Sequence, residues 1–292
     1  MPDSPVIGIT LGDAAGIGPE VIRAALASGR LDLRFTYRLI GNDAGVIPGN
    51  PTPETARDAF AALEEAARLA RAGELAAVVT GPIHKARMRA IGFPFPGQTE
   101  FFANRWQISN FAMLLTGGAL TVALVTAHVP LKQVPDLLTQ PEIVRVGRLL
   151  SDFLRLRNGA NIPRIAVAGL NPHAGEEGIL GSEETRVIAP AVLELAASEP
   201  RGQWIGPLSP DTLFHRAVAG EFDAVLCMYH DQGLIPLKLH AFDQGVNVTL
   251  GLPHIRTSPD HGTAFDIAGQ GRARPDSMIA AINLAAELVR KR

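Results

Sequence analysis

The chain has 292 residues, 47% hydrophobic and 19% charged, so it can bury a sizeable core as one large domain or two lobes, which excludes bulk disorder. Its 27 Lys and Arg stand against 29 Asp and Glu, and a net charge of −2 gives no basic footprint for nucleic acid or an anionic membrane. The one cysteine, Cys227, excludes an intrachain disulfide and a cysteine-based zinc site.

The start, Met1-Pro2-Asp3-Ser4-Pro5, has no basic stretch ahead of a long apolar run, unlike a secretory signal. Apolar runs elsewhere fall short of the roughly 18 residues of a membrane helix, so a soluble, cytoplasmic protein without a membrane partner is expected. A strand over 6–10 leads into Gly12-Asp13-Ala14-Ala15-Gly16-Ile17-Gly18-Pro19-Glu20 and then a helix. Both a tight turn and a backbone approach to a ligand fit this segment, whose glycine spacing is neither a dinucleotide fingerprint nor a P-loop.

Strands are also expected over 37–41, 77–80, 112–116, 121–126, 164–169, 223–228 and 247–250. Several are apolar throughout, as in strands covered on both faces. Thr52-Pro53-Glu54 reads as a helix cap, a first-turn proline and a dipole-matching acid. Ala56, Ala59, Phe60, Leu63, Ala67 and Ala70 continue that helix as one stripe up to Gly73. Further helices are expected over 142–157, 183–197 and 276–292. Strands separated by helices predict an α/β fold with a largely parallel sheet, and the absence of repeats or linkers makes any two lobes interleaved.

Three of the eight histidines follow predicted strands. His128 comes after 121–126, His173 lies in Asn171-Pro172-His173-Ala174-Gly175-Glu176, and His230 lies in Met228-Tyr229-His230-Asp231-Gln232-Gly233. Ligands of parallel α/β sheets collect beyond the carboxyl ends of strands, so three imidazoles there suggest a metal site open to substrate oxygens. Three imidazoles suit zinc, cobalt or manganese better than magnesium. His84, His215, His240 and His254 read as surface or loop histidines, and Glu176-Glu177 as a solvated turn. Residues 247–271 combine Asn247, Arg256, Asp260, His261, Gly262, Asp266, Gly269 and Gly271 in what reads, after the strand, as one irregular, ligand-competent stretch. Arg256 offers a planar fork for a carboxylate or phosphate.

On these motifs, chiefly 171–176, 228–233 and 247–271, the chain resembles the 4-hydroxythreonine-4-phosphate dehydrogenase family of pyridoxal phosphate biosynthesis. Stretch 261–271 also looks like the cofactor loop of isocitrate and isopropylmalate dehydrogenases. The resemblance implies an α/β/α two-lobed, isocitrate dehydrogenase-like fold. It further implies metal-dependent oxidation of a phosphorylated four-carbon substrate by NAD or NADP, with loss of carbon dioxide.

Carried over by position, the resemblance assigns His128, His173 and His230 to the metal, with zinc expected. It assigns Lys238 and Asp231 to catalysis, and Gln98, Thr99, Lys238, Asn247 and Arg256 to the substrate. His261, Gly262, Asp266 and Gly269 fall in the cofactor loop. It also implies a homodimer whose active sites draw metal ligands from both subunits. The chain departs from the pattern at Gln98, where the family has a histidine, at Ala14, and within Thr80-Gly81-Pro82-Ile83-His84-Lys85. Gln98 leaves open another four-carbon acid phosphate, such as threonate or erythronate phosphate, or a cyclic dihydrodiol. A non-catalytic binding homologue and a metal-dependent hydrolase are the alternatives of other classes.

Overall fold

The computed structural model describes residues 4–159 and 162–292. In chain order the elements are β1 (Val6–Thr10), α1 (Gly18–Ala27), β2 (Thr36–Ile40), α2 (Pro53–Arg71), β3 (Ala77–Thr80), α3 (Lys85–Ala90) and α4 (Gln98–Arg105). There follow β4 (Ala112–Gly117), β5 (Leu120–Leu124), α5 (Val134–Leu137), α6 (Gln140–Asn158), β6 (Arg164–Ala168), α7 (Ala189–Ser198) and β7 (Gln203–Leu208). The chain closes with α8 (Pro210–Val218), β8 (Ala224–Cys227), α9 (His230–Ala241), β9 (Val246–Leu250), β10 (Ile255–Pro259) and α10 (Asp276–Lys291). They divide into two compact units: the segment up to Ser109 with Asp243–Arg292, and the intervening Asn110–Phe242.

The first unit carries strands in the order β2-β1-β3-β10-β9. All its pairings are parallel except β10 with β9. β1 and β3 are buried almost throughout, as their apolar runs predict. α2 begins on the expected cap: the Thr52 side chain accepts from Thr55 N, and the Thr55 hydroxyl accepts from Thr52 N. Its small-residue face lets it lie close to an aromatic cluster of Phe93, Phe101, Phe102 and Trp106.

The second unit runs β4-β5-β8-β6-β7, parallel except for the β4–β5 hairpin. Gly118, with φ +56°, turns that hairpin. β7 is not among the expected strands and contains Gly206 and Pro207; at the end of the strand order a proline removes no needed ladder bond. β10 was also missed. Arg256, Thr257 and Ser258 made it look like loop, yet all three are buried, so the expected irregular stretch after 247–250 is in part an antiparallel strand. α9 is not among the expected helices and contains two poor helix formers, Gly233 and Pro236. Where a helix was expected over 183–197, a π-helical turn, Glu184–Ile188, precedes α7.

Candidate active site

β5 and β6 flank β8 in parallel, with Leu124 opposite Cys227 and Val167 opposite Leu226. The three strands therefore bring their carboxyl ends to one edge, and His128, His230 and His173 lie on the segments that leave it. The His128 and His230 rings stand 5.6 Å apart, tilted by 42°. Both line an open cavity of about 670 Å³ with Ala127, Tyr229 and Asp231. An imidazole centroid lies about 3 Å from a metal it ligates, so two rings on one ion are about 5–6 Å apart. The pair meets that spacing.

His230 Nδ1 donates to Asp231 Oδ1 at 2.7 Å, and His173 Nδ1 to Glu176 Oε1 at 2.7 Å. A ring whose Nδ1 proton is committed to a carboxylate presents Nε2 as the ligating atom. The hydrogen bond to Glu176, and then its charge, raise the His173 imidazole above its ordinary pKa. Glu176 is thus more than part of a solvated turn. Among the described residues, no three or more His, Cys, Asp or Glu gather as one metal-holding set, so His173 is not assembled with the other two histidines within the chain.

The His173 segment has an unusual backbone. Six successive residues have positive φ: His173 at 52°, Ala174 at 53°, Gly175 at 81°, Glu176 at 40°, Glu177 at 55° and Gly178 at 99°. Four are not glycine, and each such placement costs roughly 1–2 kcal/mol. Glu184, 3% exposed, holds the segment's entry. Its carboxylate accepts from Leu170 N and Asn171 N, both at 2.7 Å, and from Asn171 Nδ2 at 2.9 Å. Glu184 carried no recognisable signal in the sequence, because it acts through backbone amides 13 and 14 residues away.

In the first unit, β10 carries Arg256, 3% exposed. Its guanidinium donates to Thr80 Oγ1 at 2.6 Å, Gln98 Oε1 at 3.1 Å and Thr249 Oγ1 at 3.3 Å, and lies 5.9 Å from the Phe102 ring centroid. These acceptors are neutral, and its buried Nε has no hydrogen-bond partner. Burial pulls the group down to about 10, with Glu100 pulling the other way, so it stays charged at neutral pH. A buried cation held by neutral groups is suited to an anion.

Gln98 spends both ends of its amide internally, its Nε2 donating to Gly81 O at 3.0 Å. Thr99 Oγ1 is 3.4 Å from Thr249 Oγ1. Asn247, two residues before Thr249 on β9, shares its face, and its buried Oδ1 has no hydrogen-bond partner. The structure thus brings Gln98, Thr99 and Arg256 together and adds Thr80 and Thr249. Lys238 is half-buried on α9, about 12 Å along the axis from His230 at 1.5 Å per residue.

The glycine turn serves packing. A Cβ on Gly12 would lie 2.2 Å from Pro82 O, one on Gly16 2.6 Å from Thr263 O, and one on Gly18 2.2 Å from Leu11 O. Ile17 N donates to Thr263 O, and Glu20 accepts from Gly269 N at 2.7 Å. The turn is therefore the seat of loop 261–271. That loop carries His261, Gly262 and Asp266 outside regular structure, and a Cβ on Gly262 would meet nothing within 4 Å. Three histidines read as surface residues have structural contacts. His84 caps α3, His240 accepts from Ala119 N, and His254 packs edge-on against Trp106, where burial lowers its pKa.

Residues 23–285 match the family model described as pyridoxal phosphate biosynthetic protein PdxA. A 4-hydroxythreonine-4-phosphate dehydrogenase of Desulfosudis oleivorans is 44% identical, over 98% of this chain and 96% of its own. The crystal structure of 4-hydroxythreonine-4-phosphate dehydrogenase from Klebsiella pneumoniae superposes with a TM-score of 0.82 at 38% identity, covering 98% of this chain and 100% of that one. A terephthalate 1,2-cis-dihydrodiol dehydrogenase from Burkholderia xenovorans LB400 gives 0.69 at 27%, covering 98% of each chain. An isocitrate dehydrogenase from Methylococcus capsulatus gives 0.55 at 16%, covering 97% of this chain and 85% of that one, and shares the fold.

Proposed function

Because the chain belongs to the PdxA family of pyridoxal phosphate biosynthetic proteins, a family of oxidoreductases, we propose that it oxidises 4-phosphohydroxy-L-threonine with NAD or NADP and decarboxylates the product. The observation that carries the chemistry is the His128–His230 pair at the sheet edge, with His230 held by Asp231. The donor set suits zinc, or cobalt or manganese in its place, better than magnesium. When bound, such an ion supplies Lewis acidity for a developing alkoxide, and the nicotinamide supplies the hydride acceptor.

The chain's own residues do the rest. Arg256 grips a carboxylate or phosphate, with Thr80 and Thr249 fixing the plane of its fork. Gln98 holds Arg256 in place, while Thr99 and Asn247 present further polar groups on the same side. Asp231 acts by orienting His230, which leaves Lys238 as the group to hold or move a proton at the substrate oxygen. Loop 261–271 offers the nicotinamide an exposed stretch whose open flank at Gly262 admits a bulky planar group.

Two observations support a homodimer with shared sites. Only two of the three expected metal ligands meet within one chain, and α9 with its C-cap residue exposes Ile235 at 65%, Leu239 at 89% and Phe242 at 71%. Apolar side chains concentrated on one short helix are characteristic of a protein interface. A second reading of the substrate, another four-carbon acid phosphate or a cyclic dihydrodiol, is favoured by Gln98 alone. Its amide puts a neutral group where the family carries an imidazole.

Removal of metal tests the proposal. Chelator-treated protein is expected to lose turnover and regain it with Zn²⁺ or Co²⁺, and His230→Ala to lose at least a hundredfold in kcat/KM while remaining folded. Full turnover in the stripped protein would overturn it.

A further inference from the structure

The strands that carry His230 and His173 part company just beyond their last ladder bonds, and one side chain bridges them where they do. Extending the register of β6 and β8 by two residues past the Val167–Leu226 pair places Gly169 opposite Met228. No direct bond joins these two. Instead the Gln232 carboxamide stands between them. Its Oε1 accepts from Met228 N at 2.7 Å, and its Nε2 donates to Gly169 O at 2.6 Å. Gln232 is 6% exposed, so neither bond competes with bulk water.

A carboxamide has one acceptor and one donor face, as a peptide unit has, so it adds one rung to a parallel ladder while holding the strands wider apart. On the other side of β8, Met228 O accepts from Thr126 Oγ1 at 2.8 Å and from Thr126 N at 3.2 Å. The Met228 peptide is thus tied on one side to the strand end that leads to His128 and on the other to the one that leads to His173. His230 follows two residues later.

We infer that Gln232 is a positioning residue: its buried carboxamide sets the gap between the strand ends that carry His173 and His230, and so the placement of both imidazoles. The inference rests on the proposed metal-binding role of these histidines. No other side chain of this length supplies both faces. Glutamate keeps the bond from Met228 but turns an acceptor toward the Gly169 carbonyl, and methionine fills the space with neither.

The test compares wild type, Gln232→Met, Gln232→Glu and, as a destabilised control from the same unit, Leu150→Ala, whose side chain is fully buried on α6. In metal-free protein, hydrogen–deuterium exchange over 169–178 and 226–231 is expected to rise at least tenfold in both Gln232 variants and to stay at the wild-type level in the control. With Co²⁺ as probe, both Gln232 variants are expected to bind at least tenfold more weakly with an altered visible spectrum, while the control keeps the wild-type Kd and spectrum. Wild-type exchange and wild-type Co²⁺ binding in either folded Gln232 variant would overturn the inference, as would equal losses in Leu150→Ala. Raised exchange in the variants of a wild type that binds no Co²⁺ would overturn instead the proposed metal role, and with it the link from Gln232 to the site.

Discussion

Arg256 keeps its charge inside the protein at a measurable cost. Burial brings its pKa down from the ordinary arginine range to about 10. At about 1.4 kcal/mol per pKa unit, this is a penalty of about 3 kcal/mol. A base with a lowered folded pKa binds fewer protons than its unfolded form between about pH 10 and the ordinary arginine pKa. The penalty is therefore complete below pH 10, and this group's contribution to stability rises with pH through that window. Replacing it with an apolar residue of similar length removes the penalty and forfeits the bonds to Thr80, Gln98 and Thr249. Arg256→Met is expected to raise Tm by a few degrees while kcat/KM for an anionic substrate falls at least a hundredfold. Calorimetry and steady-state kinetics check the two halves separately. A variant that loses stability and keeps activity would show Arg256 to be structural.

At the level of elements, the glycine turn and the loop it supports respond oppositely to the same substitution. Gly12 has φ +73° and its Cβ would collide with Pro82 O, so Gly12→Ala is expected to cost more than about 2 kcal/mol. Gly262 faces open space, so Gly262→Ala is expected to change stability by less than about 0.5 kcal/mol while raising the KM for nicotinamide. Denaturant midpoints and cofactor titrations distinguish the two. This contrast also marks how far local sequence reaches. The spacing of glycines showed a turn, but the carbonyls that fill it, from Pro82 and Thr263, come from distant segments.

Strands such as β1 and β3 were legible because apolar runs buried on both faces leave a local signature. β10 was not, because Arg256, Thr257 and Ser258 are polar although buried, and partners such as Thr80 and Ala281 come from distant segments. The candidate site divides in the same way. His128, His173 and His230 could be placed from their positions after strands. The bond between Arg256 and Thr80 spans 176 residues and has no local pattern to announce it. Gln232 stood inside a recognised motif, yet its partners on two strand ends became visible only with the register.

Across the whole molecule, the two chemistries are built in different units. The histidines, Asp231 and Lys238 belong to Asn110–Phe242, while Arg256, Gln98, Thr99, Asn247 and loop 261–271 belong to the other unit. No helix among the described residues is long and apolar enough to cross a membrane. The proposed reaction requires a metal-directed hydroxyl, an anion for Arg256 and a nicotinamide. The most direct measurement is formation of reduced nicotinamide by the metal-loaded protein with 4-phosphohydroxy-L-threonine, threonate or erythronate phosphate, or a cis-dihydrodiol. We predict that kcat/KM with 4-phosphohydroxy-L-threonine exceeds that for each of the others at least tenfold. Preferential turnover of a cis-dihydrodiol, or no nicotinamide reduction with any of them, would contradict the proposed function.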